Sequence, residues 1–314
     1  AYQQIPDSAG ICRVMVNQAY LYDELEQNDS AISLLFRVLP IQEAMGLRQQ
    51  EAATRNQLGN LYLEKNLQTE AVAQYRLSYH LSEQIGDAAG SALAQQNLGN
   101  VLENQGKLEE AQAAYQAALS WAQQTEDQEM VGTILVNLGQ LLLDAPATRQ
   151  RAAQYFDQAL PLLEAADSDV LPGLYNGKAL WHETNQQGDS ALYYAELSLV
   201  SARAWGQLQS EEKALAILQI LYRQRGDYAR ALAYRDTLDL ITDSLFNLSS
   251  AQNLNQLRTA YQTEKKEREN LLLQQDLTQR ELEATQQRAQ RNLILGITGV
   301  VLVLGLAGFG WYRN

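Results

Sequence analysis

The 314-residue sequence predicts an all-α protein: about six stacked helical hairpins over residues 1–247, a long connecting helix over 248–292, and one membrane-spanning helix over 293–312. Three observations predict this. The first part of the chain repeats itself at a step of 40 residues. Apolar residues there recur at three- and four-residue spacing, and no stretch alternates as a strand would. The last part contains twenty consecutive uncharged residues, Leu293 to Tyr312.

The repeat is carried by small and aromatic residues. Ala31, Ala71, Ala111, Ala191 and Ala231 fall at steps of 40, and Ala152 serves the missing position one place late. Gly59, Gly99 and Gly139 keep the same step, each preceded by Leu, and Tyr75, Tyr115 and Phe156 each follow a repeat alanine by four. Small residues let paired helices approach closely, and the rings fill the space left between them. Breaks at Asn28-Asp29-Ser30, Asn66, Gly106, Pro146, Gly188-Asp189 and Gly226-Asp227 mark turns, with Gly expected at helix C-termini and Asp or Ser as N-caps.

Leu58-Gly59-x-x-Tyr62 with Ala71 and Tyr75, and its echoes at Leu98-Gly99 with Ala111 and Tyr115 and at Leu138-Gly139 with Ala152 and Phe156, resemble the tetratricopeptide repeat. The units around Ala31, Ala191 and Ala231 are degenerate. The family's repeat is about 34 residues long, so each hairpin here is longer by one to two helical turns. The resemblance implies a solenoid whose first helices line a ligand-facing surface. On that surface Asn60, Asn100 and Gln140 follow the repeat glycines, with Asn56, Gln96 and Val136 one turn earlier. Such amides suit hydrogen bonds to the backbone of an extended peptide, or bonds between neighbouring hairpins. Glu64, Asn104 and Asp144 stand where a Lys- and Arg-based carboxylate clamp would need cations, so a neutral or basic peptide fits better than an acidic one.

Composition excludes several functions. The net charge is -13, and residues 1–256 hold 31 acidic against 16 basic residues, which disfavours nucleic acid and anionic surfaces. One cysteine, Cys12, forms no intramolecular disulfide and no multi-cysteine metal site. There are two histidines. His80 follows Tyr79 on a second helix, and His182-Glu183-Thr184-Asn185 faintly resembles the phosphoacceptor box of histidine kinases but lacks its following Pro. The position four after His182 is Gln186, so the pair of ligands of a helical zinc motif is missing. No catalytic constellation, cofactor motif or metal site emerges, and the expected protein is not an enzyme.

Residues 254–292 contain neither Gly nor Pro and make one helix about 58 Å long at 1.5 Å per residue. Its best heptad register has six apolar residues among twelve core positions, a weak coiled coil or a solvated spacer. Leu257-x-x-x-Tyr261-x-Thr263-Glu264-Lys265-Lys266-Glu267, running on into Arg291-Asn292 and the apolar stretch, resembles bacterial tetratricopeptide sensor proteins. In that family an exported repeat domain precedes a helix, one membrane span and a cytoplasmic output, usually a histidine kinase. The resemblance implies a single-pass sensor in the inner (plasma) membrane, its repeats periplasmic. Leu257, Tyr261, Leu271 and Leu282 would pass the signal within a homodimer.

Leu293 to Tyr312 spans ~30 Å, the thickness of a bilayer core, with Arg288 and Arg291 on one side and Trp311, Tyr312 and Arg313 on the other. Its glycines contain no GxxxG spacing. The chain begins without Met or an apolar leader, which a removed signal peptide or a start inside a longer gene would each explain. Two functional readings follow: a membrane sensor module that binds peptide or protein, and a tail-anchored cytosolic adaptor that recruits protein partners to a membrane.

Overall fold

The computed structural model describes residues 8–248 together with 250, 268, 271, 274 and 279. The described residues contain twelve helices and no strand. They pair as hairpins in chain order: α1 (Ser8–Glu24) with α2 (Asn28–Met45), α3 (Arg48–Glu64) with α4 (Gln68–Ile85), and α5 (Ala88–Asn104) with α6 (Leu108–Ala122). Then come α7 (Gln128–Leu143) with α8 (Arg149–Ala166), α9 (Leu171–Thr184) with α10 (Gly188–Trp205), and α11 (Leu208–Gln224) with α12 (228–248). Each second helix also packs on the first helix of the next hairpin. First helices touch across hairpins (α3 with α5, α7 with α9, α9 with α11), and no comparable contact joins α4 to α6, α6 to α8 or α8 to α10. At these three junctions the first helices thus approach one another more closely than the second helices do.

The turns keep time with the repeat. Glu26, Asn66, Gly106, Gln186 and Gly226 all have positive φ, between 56° and 78°, at steps of 40 with one gap. Gly46, Gly86 and Gly206 form a second such series at φ 67°, 70° and 67°. In each case the left-handed residue ends one helix and lets the backbone close on the preceding turn, as where Asp87 N–H donates to Ser82 O at 2.9 Å. The gap falls at Pro146, whose ring forbids positive φ. There the chain is held instead by Thr148 Oγ1 donating to Leu142 O (2.6 Å) and Arg149 Nε donating to Leu143 O (3.1 Å). α7 ends one residue early and α8 begins one residue late, at Arg149, which is why Ala152 comes late in the series.

Several cap expectations need correction. Asn28, Asp29, Ser30, Gly188 and Asp189 lie within the first turns of α2 and α10, and the capping residues Gln27 and Gln187 make no side-chain cap bond. With Glu26 and Gln186 left-handed, backbone groups alone close these ends, as in Gln27 N–H to Tyr22 O (2.8 Å). Asp29 and Asp189 serve a different end: they pair with Lys65 and Arg225, each one hairpin on. Side-chain caps occur at Asp87, Asp127 and Asp227, which accept from the N–H of Gly90, Met130 and Arg230 at 2.9, 2.9 and 3.1 Å.

The core is built from the repeat marks. A Cβ at Gly59 would lie 2.4 Å from Tyr75 Cε1, one at Gly99 2.5 Å from Tyr115 Cε1, and one at Gly139 2.4 Å from Phe156 Cε1. Each ring of a second helix thus lies on the bare backbone of its own first helix, and Tyr75, Tyr115 and Phe156 are wholly buried. The main apolar cluster runs from Ala71 to Tyr175, a second from Ala179 to Ala231, and two smaller ones fill the first hairpins.

A compact unit ends at Asn247 and another begins at Leu248. In the second, 250, 268, 271, 274 and 279 are helical. Among the described residues no helix is long and apolar enough to cross a membrane. The span expected at 293–312 and nearly all of the connecting helix expected at 248–292 lie outside the described residues.

Candidate functional site

The amides expected on the first helices gather on adjoining elements, and the buried tyrosines orient them. Tyr75 OH donates to Asn60 Oδ1 and Tyr115 OH to Asn100 Oδ1, both at 2.7 Å. Tyr115 OH lies equally close to Glu103 Oε2, at 2.7 Å, so its single proton is shared between the amide oxygen and the carboxylate. Burial raises the pKa of both phenols far above the ordinary range, with the charge of Glu64 adding for Tyr75 and the bond and charge of Glu103 for Tyr115. The hydroxyls therefore remain protonated donors. Each Asn side chain has its oxygen occupied from below, and its Nδ2 has no partner among the described residues.

A second set of amides links the hairpins. Asn97 Nδ2 donates to Asn56 Oδ1 at 3.2 Å and Asn137 Nδ2 to Asn100 Oδ1 at 3.4 Å. Asn176 Nδ2 continues the series by donating to Ser210 O at 2.9 Å. The ladder stops at Gln57, buried with neither amide atom bonded. Forty residues before Asn56 stands Val16, which offers no side-chain acceptor.

The five expected binding residues thus divide. Asn56, Asn60 and Asn100 share one arrangement, oxygen engaged and nitrogen left over. Gln96 is half-buried on the same helix as Asn100. Gln140 is exposed and gives one of its two donors to Gly173 O at 3.3 Å, and Val136 is buried, so the surface changes character at α7. Sequence reasoning missed Asn97, Asn137 and Asn176, although the first two are separated by the repeat step. It also missed the tyrosine hydroxyls, having read those residues as packing alone.

Of the four residues expected to transmit a signal, Leu271 is described, helical and 55% exposed. Leu257, Tyr261 and Leu282 lie outside the described residues. Cys12 is buried, and burial raises its thiol pKa. His80 is exposed beside Glu83. His182 stacks on Tyr194.

The fold and the small-residue and ring pairing define a tetratricopeptide-like helical array. Residues 90–165 match the family described as tetratricopeptide repeat. No curated protein matches the chain. Among solved structures, BtubC (BKLC) from P. vanneervenii is similar at a TM-score of 0.57 and 18% identity, over 68% of this chain and 90% of that one. PilF of Pseudomonas aeruginosa gives a TM-score of 0.58 at 20% identity, over 74% and 93%. The Rap conjugation gene regulator of plasmid pLS20, in complex with the Phr* peptide, gives 0.53 at 17% identity, over 76% and 77%.

Proposed function

We propose that this protein is a non-catalytic binding module that holds an extended segment of a peptide or protein across its first helices. The observation that carries the reading is the arrangement of Asn56, Asn60 and Asn100. Each side chain is fixed through its oxygen by a neighbouring residue and keeps two N–H donors for backbone carbonyls. Fixed donors lose little freedom on binding, and backbone carbonyls are common to every peptide. The acidic body favours a neutral or basic segment. That a structurally similar Rap protein was solved with a peptide agrees with the reading.

Selecting peptides from a random displayed library on the full chain tests this. Selected peptides should lose at least tenfold in affinity when Asn60 and Asn100 are both changed to Ala; undiminished affinity refutes the site.

The setting we infer is a homodimeric sensor in the inner (plasma) membrane. Residues 293–312 would span the bilayer, the repeats would lie outside the cytoplasm, and the 248–292 helix would carry the signal through Leu257, Tyr261, Leu271 and Leu282. To signal, a ligand must bind one arrangement better than the other. Protease added to intact spheroplasts should digest the repeats. Protection that lysis relieves would favour the tail-anchored adaptor.

A further inference from the structure

The repeat fails at the fifth hairpin, and the failure builds a cleft. Stepping by 40 from Leu58, Leu98 and Leu138 reaches Lys178, and from Gly59, Gly99 and Gly139 reaches Ala179. The ring that follows the repeat alanine by four in three earlier hairpins is Ala195 here. The ring that α10 supplies, Tyr194, stands one position earlier and is half-buried against both apolar clusters, the fully buried members of one ending at Tyr175 and those of the other beginning at Ala179. Lys178 stands between them at 7% exposure.

The space left is a cleft of about 220 Å3 between α8, α9 and α10, lined chiefly by Phe156, Asp157, Lys178, Trp181, His182 and Tyr194. Its walls are held in place. The His182 ring stacks on Tyr194 with centroids 5.3 Å apart and planes 9° from parallel, and Trp181 meets His182 edge-on at 4.9 Å. Tyr175 backs Tyr194 at 6.2 Å. His182 Nδ1–H donates to Gln187 Oε1 at 2.6 Å, which fixes the imidazole. Lys178 Nζ sits 5.0 Å from the centre of the Tyr194 ring and pairs with Asp157, whose side chain is 69% exposed.

A cation in a core leucine's place carries a desolvation cost that one exposed carboxylate offsets only in part. The ammonium has three donors; one goes to Asp157, and no other hydrogen-bond acceptor meets it among the described residues. A second cation would sit beside Lys178 and be repelled, whereas an anion would take the unused donors. A carboxylate attached to a flat apolar body matches both the ammonium and the aromatic walls. The volume suits one residue rather than a drug-sized molecule, which needs ~300 Å3 or more. On α9, Asn176 and Leu180 lie on one side and Lys178, Trp181 and His182 on the other at 3.6 residues per turn. The cleft is therefore separate from the amide surface and does not depend on it.

We propose that this cleft binds a carboxylate carried on an aromatic or bulky apolar group, the carboxylate accepting from Lys178 and the apolar group lying against Trp181 and Tyr194. A free N-acylated amino acid and the C-terminus of a peptide share this chemistry.

With two histidines in the chain, ring resonances report the site directly. His182 is assigned with His80→Gln, and the full chain is titrated with N-acetylphenylalanine, the peptide acetyl-Gly-Gly-Phe, and the C-terminal amide of each. Both acids should shift His182 saturably with Kd in the millimolar range or below, and the amides should bind at least tenfold more weakly. Tighter binding of the tripeptide acid identifies the peptide C-terminus as the source, and equal or weaker binding the small molecule. Lys178→Met, which restores the apolar side chain of the other hairpins, should abolish the shift. Asp157→Asn removes the internal competitor and should tighten the acids severalfold, an effect that a purely structural Lys178–Asp157 pair does not produce. If Lys178→Met fails to fold, the Asp157→Asn titration decides. Acids and amides binding alike, no shift by either acid, or Asp157→Asn leaving affinity unchanged or weaker would each overturn the proposal.

Discussion

The ring of Tyr75 lies on the backbone of Gly59 so closely that a Cβ at 59 would come 2.4 Å from Tyr75 Cε1, and the same ring's hydroxyl donates to Asn60 one residue further on. One side chain thus closes the hairpin and orients an amide on the first-helix surface. The pairing recurs with Gly99, Tyr115 and Asn100. Packing and the proposed binding share these residues, so their substitutions should have paired consequences.

Gly99→Ala should destabilise the array, because overpacking costs about 1–3 kcal/mol and exceeds the gain of up to ~1 kcal/mol in helix propensity. Thermal unfolding should fall by several degrees. In a Tyr115→Leu background the same substitution should cost much less, since the atoms it strikes are gone. Equal costs in both backgrounds would show that the ring is not the obstacle.

Tyr115→Phe keeps the ring and removes the hydroxyl that reaches Asn100 and Glu103. Stability should fall by about 1 kcal/mol, as for one lost hydrogen bond. Peptide affinity should fall as well, because Asn100 is no longer held. Retained affinity with reduced stability would separate the tyrosine from the binding surface.

The turns predict a contrast. Gly86 has φ 70°, and a Cβ there would meet no atom within 4 Å, so Gly86→Ala should cost ~1–2 kcal/mol through conformation alone. Gln186 already bears that conformation at φ 58°. Gln186→Gly should stabilise, by less than ~1 kcal/mol, since glycine also gains freedom in the unfolded chain. Chemical denaturation of the two variants checks both signs.

Asp23 and Glu64 face each other between the first two hairpins. Burial raises both pKa values, with the charge of Asp23 adding for Glu64 and that of Glu24 for Asp23. Asn28 donates to Glu64 at 2.9 Å and opposes the shift. A folded pKa above the unfolded one gives stability that is full at low pH and lost as pH rises through the folded value. Melting temperature should therefore rise on acidification from neutrality toward the carboxylate range. General self-repulsion of an acidic body acts in the same direction, so the informative comparison is Glu64→Gln, which should reduce the slope. An unchanged slope would show that this pair contributes nothing to the pH dependence.

The architecture was legible because its causes are local: glycine under a ring leaves a 40-residue rhythm that any self-comparison finds. The caps were harder to read. Asn28 and Asp189 have capping chemistry but sit one or two residues inside helices whose ends are set by left-handed Glu26 and Gln186, residues with no such signature. The amide surface was half legible. Asn60 and Asn100 follow the glycines in the sequence, whereas their orientation depends on hydroxyls fifteen residues away. Lys178 was overlooked because a single residue out of step looks like decay of the repeat, and its environment arises only when α8, α9 and α10 meet.

The most direct measurement places a photo-crosslinking residue, p-benzoylphenylalanine, at Asn60 on the first-helix surface, and at Tyr193, 59% exposed on α10, as a control. The full chain is irradiated in living cells that express it. A peptide or protein adduct at 60 and none at 193 is the predicted result. Equal adducts at both positions, or an adduct at 193 alone, would contradict a binding module that works through its amide surface.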